Sequence, residues 1–450
     1  FRTAFVGFNG PEPSVGVDAE GRIFLQALLR TMRSEDNGAS WLDVTAANGP
    51  VVTFDPYIWV DRDTGRVYND QLIFAPGGAG CSWAAWTDTA GAAPLRLWEG
   101  DNVRFCSAVP EPLFVDHQKV HTGPIPPNHI LAHPPGGVNP LVLYPNAVFF
   151  AWNTGSQGKI AMSLDGGLTF PVQAFTVGNV CDGGLHGRVR SFSTGEMIIP
   201  KRDCNRPLVL ITSSFSAWEA LEVGNDAGSS EHRKNPDVAI DTADNAYLFW
   251  SGADEGIWMS RTADKGSTWD AVSTKVSPPH IGSTAMPSSV AGSPGRMAVM
   301  YYGTDDDAEA PDHVADTARW HAYITFSLNA LDADPTFVTI QLDTDANPIQ
   351  IGCVSTRLDG HCANQNLLDF TDLVLTPDGR VVAAYADGCT VGSGCADNPA
   401  ATNLDSTDSD GTAAIQLVGP AMLVGADAPA ADGLGLAPEV RASLMPWLSS

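Results

Sequence analysis

Nine polar side chains stand where short apolar strands begin: Glu12, Asp55, Asp116, His117, His186, Arg188, Asp237, Asp369 and Asp372. Carboxylates gathered at one point either raise one another's pKa values or hold a cation, and hard oxygen ligands suit calcium. Asp55, Asp116 and Asp369 are the candidate calcium ligands, and calcium is the one cofactor this chemistry suggests. Asp116, His117, His186, Arg188, Asp237, Asp369 and Asp372 are the candidate catalytic or binding residues. A structural role competes for every one of them, because a carboxylate at a strand start also caps the neighbouring turn. His186 stands out within Gly183-Gly-Leu-His186-Gly, where small residues bring backbone and imidazole together. A further histidine group, His117, His121, His129 and His133, runs into the Pro-rich stretch Pro124 to Pro140. The prolines leave no helix on which to mount a metal site, so a long ordered loop over the channel mouth is expected there.

The elements that must position these residues are hairpins. Val15-Gly-Val-Asp18-Ala-Glu-Gly21-Arg-Ile-Phe24, Trp59-Val-Asp61-Arg-Asp-Thr-Gly65-Arg-Val-Tyr68 and Leu373-Val-Leu-Thr-Pro-Asp378-Gly379-Arg-Val-Val all run strand, Asp/Gly turn, strand. Alternating apolar runs bounded by such turns read as β-hairpins. Units open near Pro13, Pro56, His117, His186, Pro236, Pro287 and Phe370, which predicts seven repeats around a common axis.

Three stretches share finer punctuation: Ser34-Glu-Asp36-Asn-Gly38-Ala-Ser40-Trp41, Ser163-Leu-Asp165-Gly-Gly167-Leu-Thr169-Phe170 and Thr262-Ala-Asp264-Lys-Gly266-Ser-Thr268-Trp269. The Asp accepts backbone hydrogen bonds and the Gly supplies positive φ, while the ring packs beneath the turn. Thr87 to Gly91 and Ser213 to Trp218 read as eroded copies. The motif resembles the Asp box, or BNR repeat, of sialidases and other β-propellers. Cys181 to Gly187, Asn235 to Asp241 and Asn366 to Phe370 with Tyr385 to Cys389 are similar to secreted sialidase-like propellers of bacteria and archaea. The resemblance implies an all-β fold: one propeller domain over 1–450, of four-stranded antiparallel blades with Asp-box hairpins. Seven blades are expected, with six, as in sialidases, the alternative, and a strand near Thr3–Phe8 closing the last blade.

Sialidases use a Tyr nucleophile in place of the usual carboxylate pair. The resemblance also implies a Glu activating that Tyr, an Asp acid/base and three arginines on the substrate carboxylate. Phe1-Arg2-Thr3 is only faintly similar to the N-terminal Arg motif, and Arg188, Arg233, Arg357, Tyr301 and Tyr302 sit in no matching motif. No catalytic residue is carried over.

Composition narrows the partners. Asp plus Glu number 52 against 25 Lys plus Arg, a net charge of −27, which disfavours nucleic acid and anionic membranes. No run of 18 apolar residues predicts a transmembrane span. The eight cysteines lie as near neighbours, which predicts four loop staples: Cys81–Cys106, Cys181–Cys204, Cys353–Cys362 and Cys389–Cys395. Sequence alone does not determine that connectivity. Such bridges imply an oxidising compartment, hence a secreted or cell-surface protein. The expected function is binding or processing of glycans at the channel mouth; the alternative is a non-catalytic surface module that holds a protein ligand or other copies and subunits. Trp83, Trp86 and Trp98 would be sugar platforms or blade core.

Overall fold

A computed structural model describes residues 1–51, 53–74, 80–91, 98–104, 115–130, 143–154, 157–175, 187–203, 206–224, 226–229, 236–305, 309–355, 362, 366–367, 369–389 and 409–424. They form seven antiparallel blades, six of four strands and one with a fifth short strand. No helix occurs among the described residues, and none is long and apolar enough to cross a membrane. The innermost strands are Ser14–Val17, Phe54–Asp61, Asp116–Gly123, Arg190–Ser191, Asp237–Ile240, Ser283–Ala291 and Asp372–Leu375. These are the seven units that the hairpin pattern predicts. The strand Arg2–Asn9 pairs with Asp410–Ile415 as the outermost strand of the seventh blade, so the first and last described strands lie in one sheet. The ring therefore closes without depending on any single turn.

Seven hydrophobic clusters lie one between each pair of adjacent blades. Successive residues of a strand point to opposite faces, and here both faces are covered. Tyr301 thus packs towards blade five and Tyr302 towards blade seven. This explains why the strands read as continuous apolar runs. It also puts Trp83, Trp86 and Trp98, at 5%, 3% and 3% exposure, in the blade core.

The three punctuated turns share one hydrogen-bond pattern. Ser40, Thr169 and Thr268 each donate N–H and hydroxyl bonds to Asp36, Asp165 and Asp264, at 2.8–2.9 Å and 2.6 Å. Gly38 and Gly266 have φ of +76° and +84°, and a Cβ there would meet a neighbouring blade's Ile at 2.5 or 2.4 Å, so conformation and space both demand glycine. One blade carries a further variant of the turn. In blade six Asn329 replaces the Asp and receives Thr336 seven residues on, with Phe337 packed below.

Of the predicted bridges, Cys353–Cys362 is formed, with Cα atoms 5.9 Å apart. Cys81 and Cys389 are also disulfide-bonded. Cys106, Cys181, Cys204 and Cys395 lie outside the described residues.

Candidate functional site: the channel mouth

Each inner strand starts in the same way, and that start decides where the polar residues point. Glu12, Asp55, His117 and Met286 occupy equivalent positions in blades one, two, three and six. All have left-handed φ, at 56°, 47°, 50° and 57°. In blades two, three and six the ladder register shifts at this point, as at a β-bulge. Non-glycine residues adopt this region only where the surroundings enforce it. The presence of Met286 in the set shows that the bulge belongs to the architecture; the chemistry lies in which side chain it turns towards the axis.

At this level five ionisable groups converge. The Asp55 carboxylate accepts the His117 N–H at 3.3 Å, and Glu12 accepts the Asp55 N–H at 2.8 Å. Each carboxylate thus caps the next blade, the structural role that competed for them in the sequence. The capping leaves other oxygens over. Asp55 also shares a side-chain hydrogen bond with Asp116. His117 Nε2 lies 3.5 Å from Asp369 Oδ2 and 4.0 Å from Asp116 Oδ2, with its ring edge-on to Phe370 at 5.0 Å. One ligand atom each from Asp55, His117 and Asp369 falls within 4.8 Å of the others. Asp55 and His117 are buried, and Asp369 is partly open to solvent. Burial first, then the charge of Asp116, pushes the Asp55 carboxyl up to about 8. Burial, then Asp55 and Asp369, pushes Glu12 well above the usual carboxylate range, and burial also raises Asp116.

Two residues along each strand lies a second ring: Ser14, Tyr57, Lys119, Arg188, Asp237, Ser288 and Asp372. Arg188 makes a two-pronged ion pair with Asp237 and a further pair with Asp372. Asp237 also accepts the Ser289 N–H and hydroxyl, both at 2.7 Å, while Asp372 accepts the Val15 N–H at 2.9 Å. Burial opposes ionisation of both acids. The two-pronged Arg188 contact and the Ser289 bonds overcome it for Asp237, whose carboxyl is held below its ordinary range; for Asp372 burial prevails and raises it. This waist and the mouth-level residues Met286, Asp369 and Phe370 line one small cavity of about 40 Å³.

Lys119, 5% exposed, makes no hydrogen bond among the described residues and stands 3.8 Å over the Phe370 ring and 4.9 Å over Tyr57. Burial lowers its pKa. Lys119, Tyr57 and Phe370 were missed as site residues in the sequence. Stepping two residues from each strand start would have found Lys119 and Tyr57.

The structure therefore brings Asp55, Asp116, His117 and Asp369 together at the mouth, and puts Arg188, Asp237 and Asp372 one layer below. His186, Arg233, Arg357 and His133 lie outside the described residues. The described start of the Pro-rich stretch lies at the opposite end of the channel from the predicted one. It follows the far end of the third inner strand, and Asn128 N–H bonds Ser213 O at 2.7 Å. Tyr301 and Tyr302 are fully buried; Tyr301 bonds Thr325, and Tyr302 bonds Ala386. Neither reaches the axis.

No family profile matches the chain, and no curated protein matches it. Among solved structures, a Dyadobacter fermentans protein of unknown function is 13% identical, over 92% of this chain and 97% of its own, with a TM-score of 0.47. A mutant of the NanB sialidase of Streptococcus pneumoniae is 11% identical, over 90% of this chain and 68% of its own, at 0.43. A fucose-recognising lectin of Aleuria aurantia, a six-bladed propeller, is 9% identical over 77% and 99%, at 0.41. The likeness is one of fold alone.

Proposed function

We propose that this chain is an extracellular, sialidase-like Asp-box propeller that binds glycans at the channel mouth through a divalent cation. The observation that carries the reading is the convergence of Asp55, His117 and Asp369 ligand atoms within 4.8 Å of one another. Two carboxylates and an imidazole from three blades form a mixed oxygen and nitrogen set. Carboxylates alone suit calcium; the imidazole turns preference towards a first-row ion such as manganese or zinc. An ion held by three side chains keeps coordination positions open, and vicinal sugar hydroxyls can fill them. The net charge of −27 argues against nucleic acid, and the sequence resemblance to sialidase-like propellers favours glycans among the remaining ligands. The disulfides support an oxidising compartment.

The test is a glycan-array screen and a fluorogenic glycoside panel, each run with manganese, with calcium and with EDTA. Binding that needs the cation and is lost in Asp369→Asn supports the reading. Turnover in the same samples would extend binding to processing. Glycan binding indifferent to EDTA, or none at all from folded protein, would contradict it.

A further inference from the structure

The opposite end of the channel is built differently. Gly16, Trp59, His121, Arg190, Val290 and Val374 line a cavity of about 460 Å³ there. That volume lies in the range of small-molecule sites and more than ten times above the waist cavity.

Its charge is the unusual part. Acids outnumber bases about two to one in this chain, and arginines 22, 30, 33, 66, 188, 206, 261 and 380 each pair with a carboxylate. Arg190 does not, among the described residues. Its one side-chain hydrogen bond there goes to the carbonyl of its neighbour, Val189, at 3.0 Å, and its guanidinium stands 5.7 Å from the centre of the Trp59 ring. Arg190 lines the cavity, and a guanidinium's remaining donors form a planar fork, the geometry that grips a carboxylate in two places. Arg62, on the same wall, is spent on the carbonyls of Val17 and Leu375. The acids nearby are engaged too: Asp237 and Asp372, which feel the charge of Arg190, are paired directly with Arg188, while Asp61 accepts from Tyr144 and Asn146, and Asp63 from Asn146. His121, bonded through Nε2 to Ser191 at 2.7 Å, packs edge-on to Trp59 with ring centres 4.9 Å apart.

We infer that this cavity binds a small organic carboxylate of monosaccharide size, with Arg190 as the clamp and Trp59 as its support. The cavity is far larger than an inorganic anion requires, and the Trp59 indole and Thr122 supply apolar and hydroxyl surface beside the fork.

The site is separable from the mouth. Isothermal titration with glucuronate, glucose and sulfate, against wild type, Arg190→Ala, Arg190→Lys and Asp369→Asn, tests it. Glucuronate should bind wild type and Asp369→Asn alike, at least tenfold more tightly than glucose. Arg190→Ala should abolish binding, and Arg190→Lys, which keeps the charge without the fork, should weaken it about tenfold. Glucose binding as tightly as glucuronate, retained binding in Arg190→Ala, or no binding to folded wild type would each overturn the proposal. Sulfate binding as tightly as glucuronate would overturn the assignment to an organic acid.

Discussion

The mouth and the waist of the channel both gather carboxylates on the axis, the mouth from blades one, two, three and seven and the waist from blades five and seven, and they balance their charges differently. At the waist, Arg188 faces Asp237 and Asp372, and neighbouring backbone and hydroxyl donors take up the remaining oxygens. At the mouth, Glu12, Asp55, Asp116 and Asp369 crowd beside one histidine, and buried Lys119 acts on Glu12, Asp55 and Asp116 through its charge, with no direct ion pair to these three among the described residues. A directly paired cluster holds blades together. A crowded acidic cluster is what the proposed cation would neutralise. Carboxylates near a propeller axis are therefore not informative until their counter-charges are counted.

The largest test of the contrast is Arg188→Ala. It strands two buried carboxylates and should lower stability by about 3–5 kcal/mol in a denaturant titration. Asp369→Asn at the mouth should cost nothing in EDTA, because it removes one of several crowded like charges; a loss comparable to that of Arg188→Ala would erase the distinction. Next comes the cation itself. At a hundred times its dissociation constant it should stabilise wild type by about 2.7 kcal/mol, a rise that His117→Ala abolishes and that thermal melts detect.

Smaller effects lie away from both layers. Asp264→Ala removes the carboxylate that receives Thr268 and should cost about 1 kcal/mol, with mouth ligand binding unchanged. The last is a pH effect. Burial first and Arg190 second push His121 down to about 3. Between that value and its ordinary 6.5 the folded state keeps the ring neutral while the unfolded chain takes up a proton. Stability should therefore fall as pH drops through 6.5 towards 3. His121→Gln should melt with a shallower acid slope than wild type; an identical slope would contradict the assignment.

The fold was legible because its signals are local and repeated. Asp264, Gly266 and Thr268 fall within one turn, and Leu373 to Val382 is a complete hairpin. Blade six hid its turn because Asn329 reaches Thr336 across an insertion. The mouth was half legible. Asp55, Asp116, His117 and Asp369 are recognisable as polar strand starts, but adjacency between blades sixty or more residues apart is a property of ring closure. Arg188, Asp237 and Asp372 looked no different in sequence. Their direct pairing exists only once blades four, five and seven meet on the axis.

The most direct measurement is calorimetric titration of manganese into metal-stripped wild type, His117→Ala and Arg190→Ala. The account predicts one site per chain, weakened at least tenfold in His117→Ala and unchanged in Arg190→Ala. Absence of a site, or one that His117→Ala leaves intact, would contradict it.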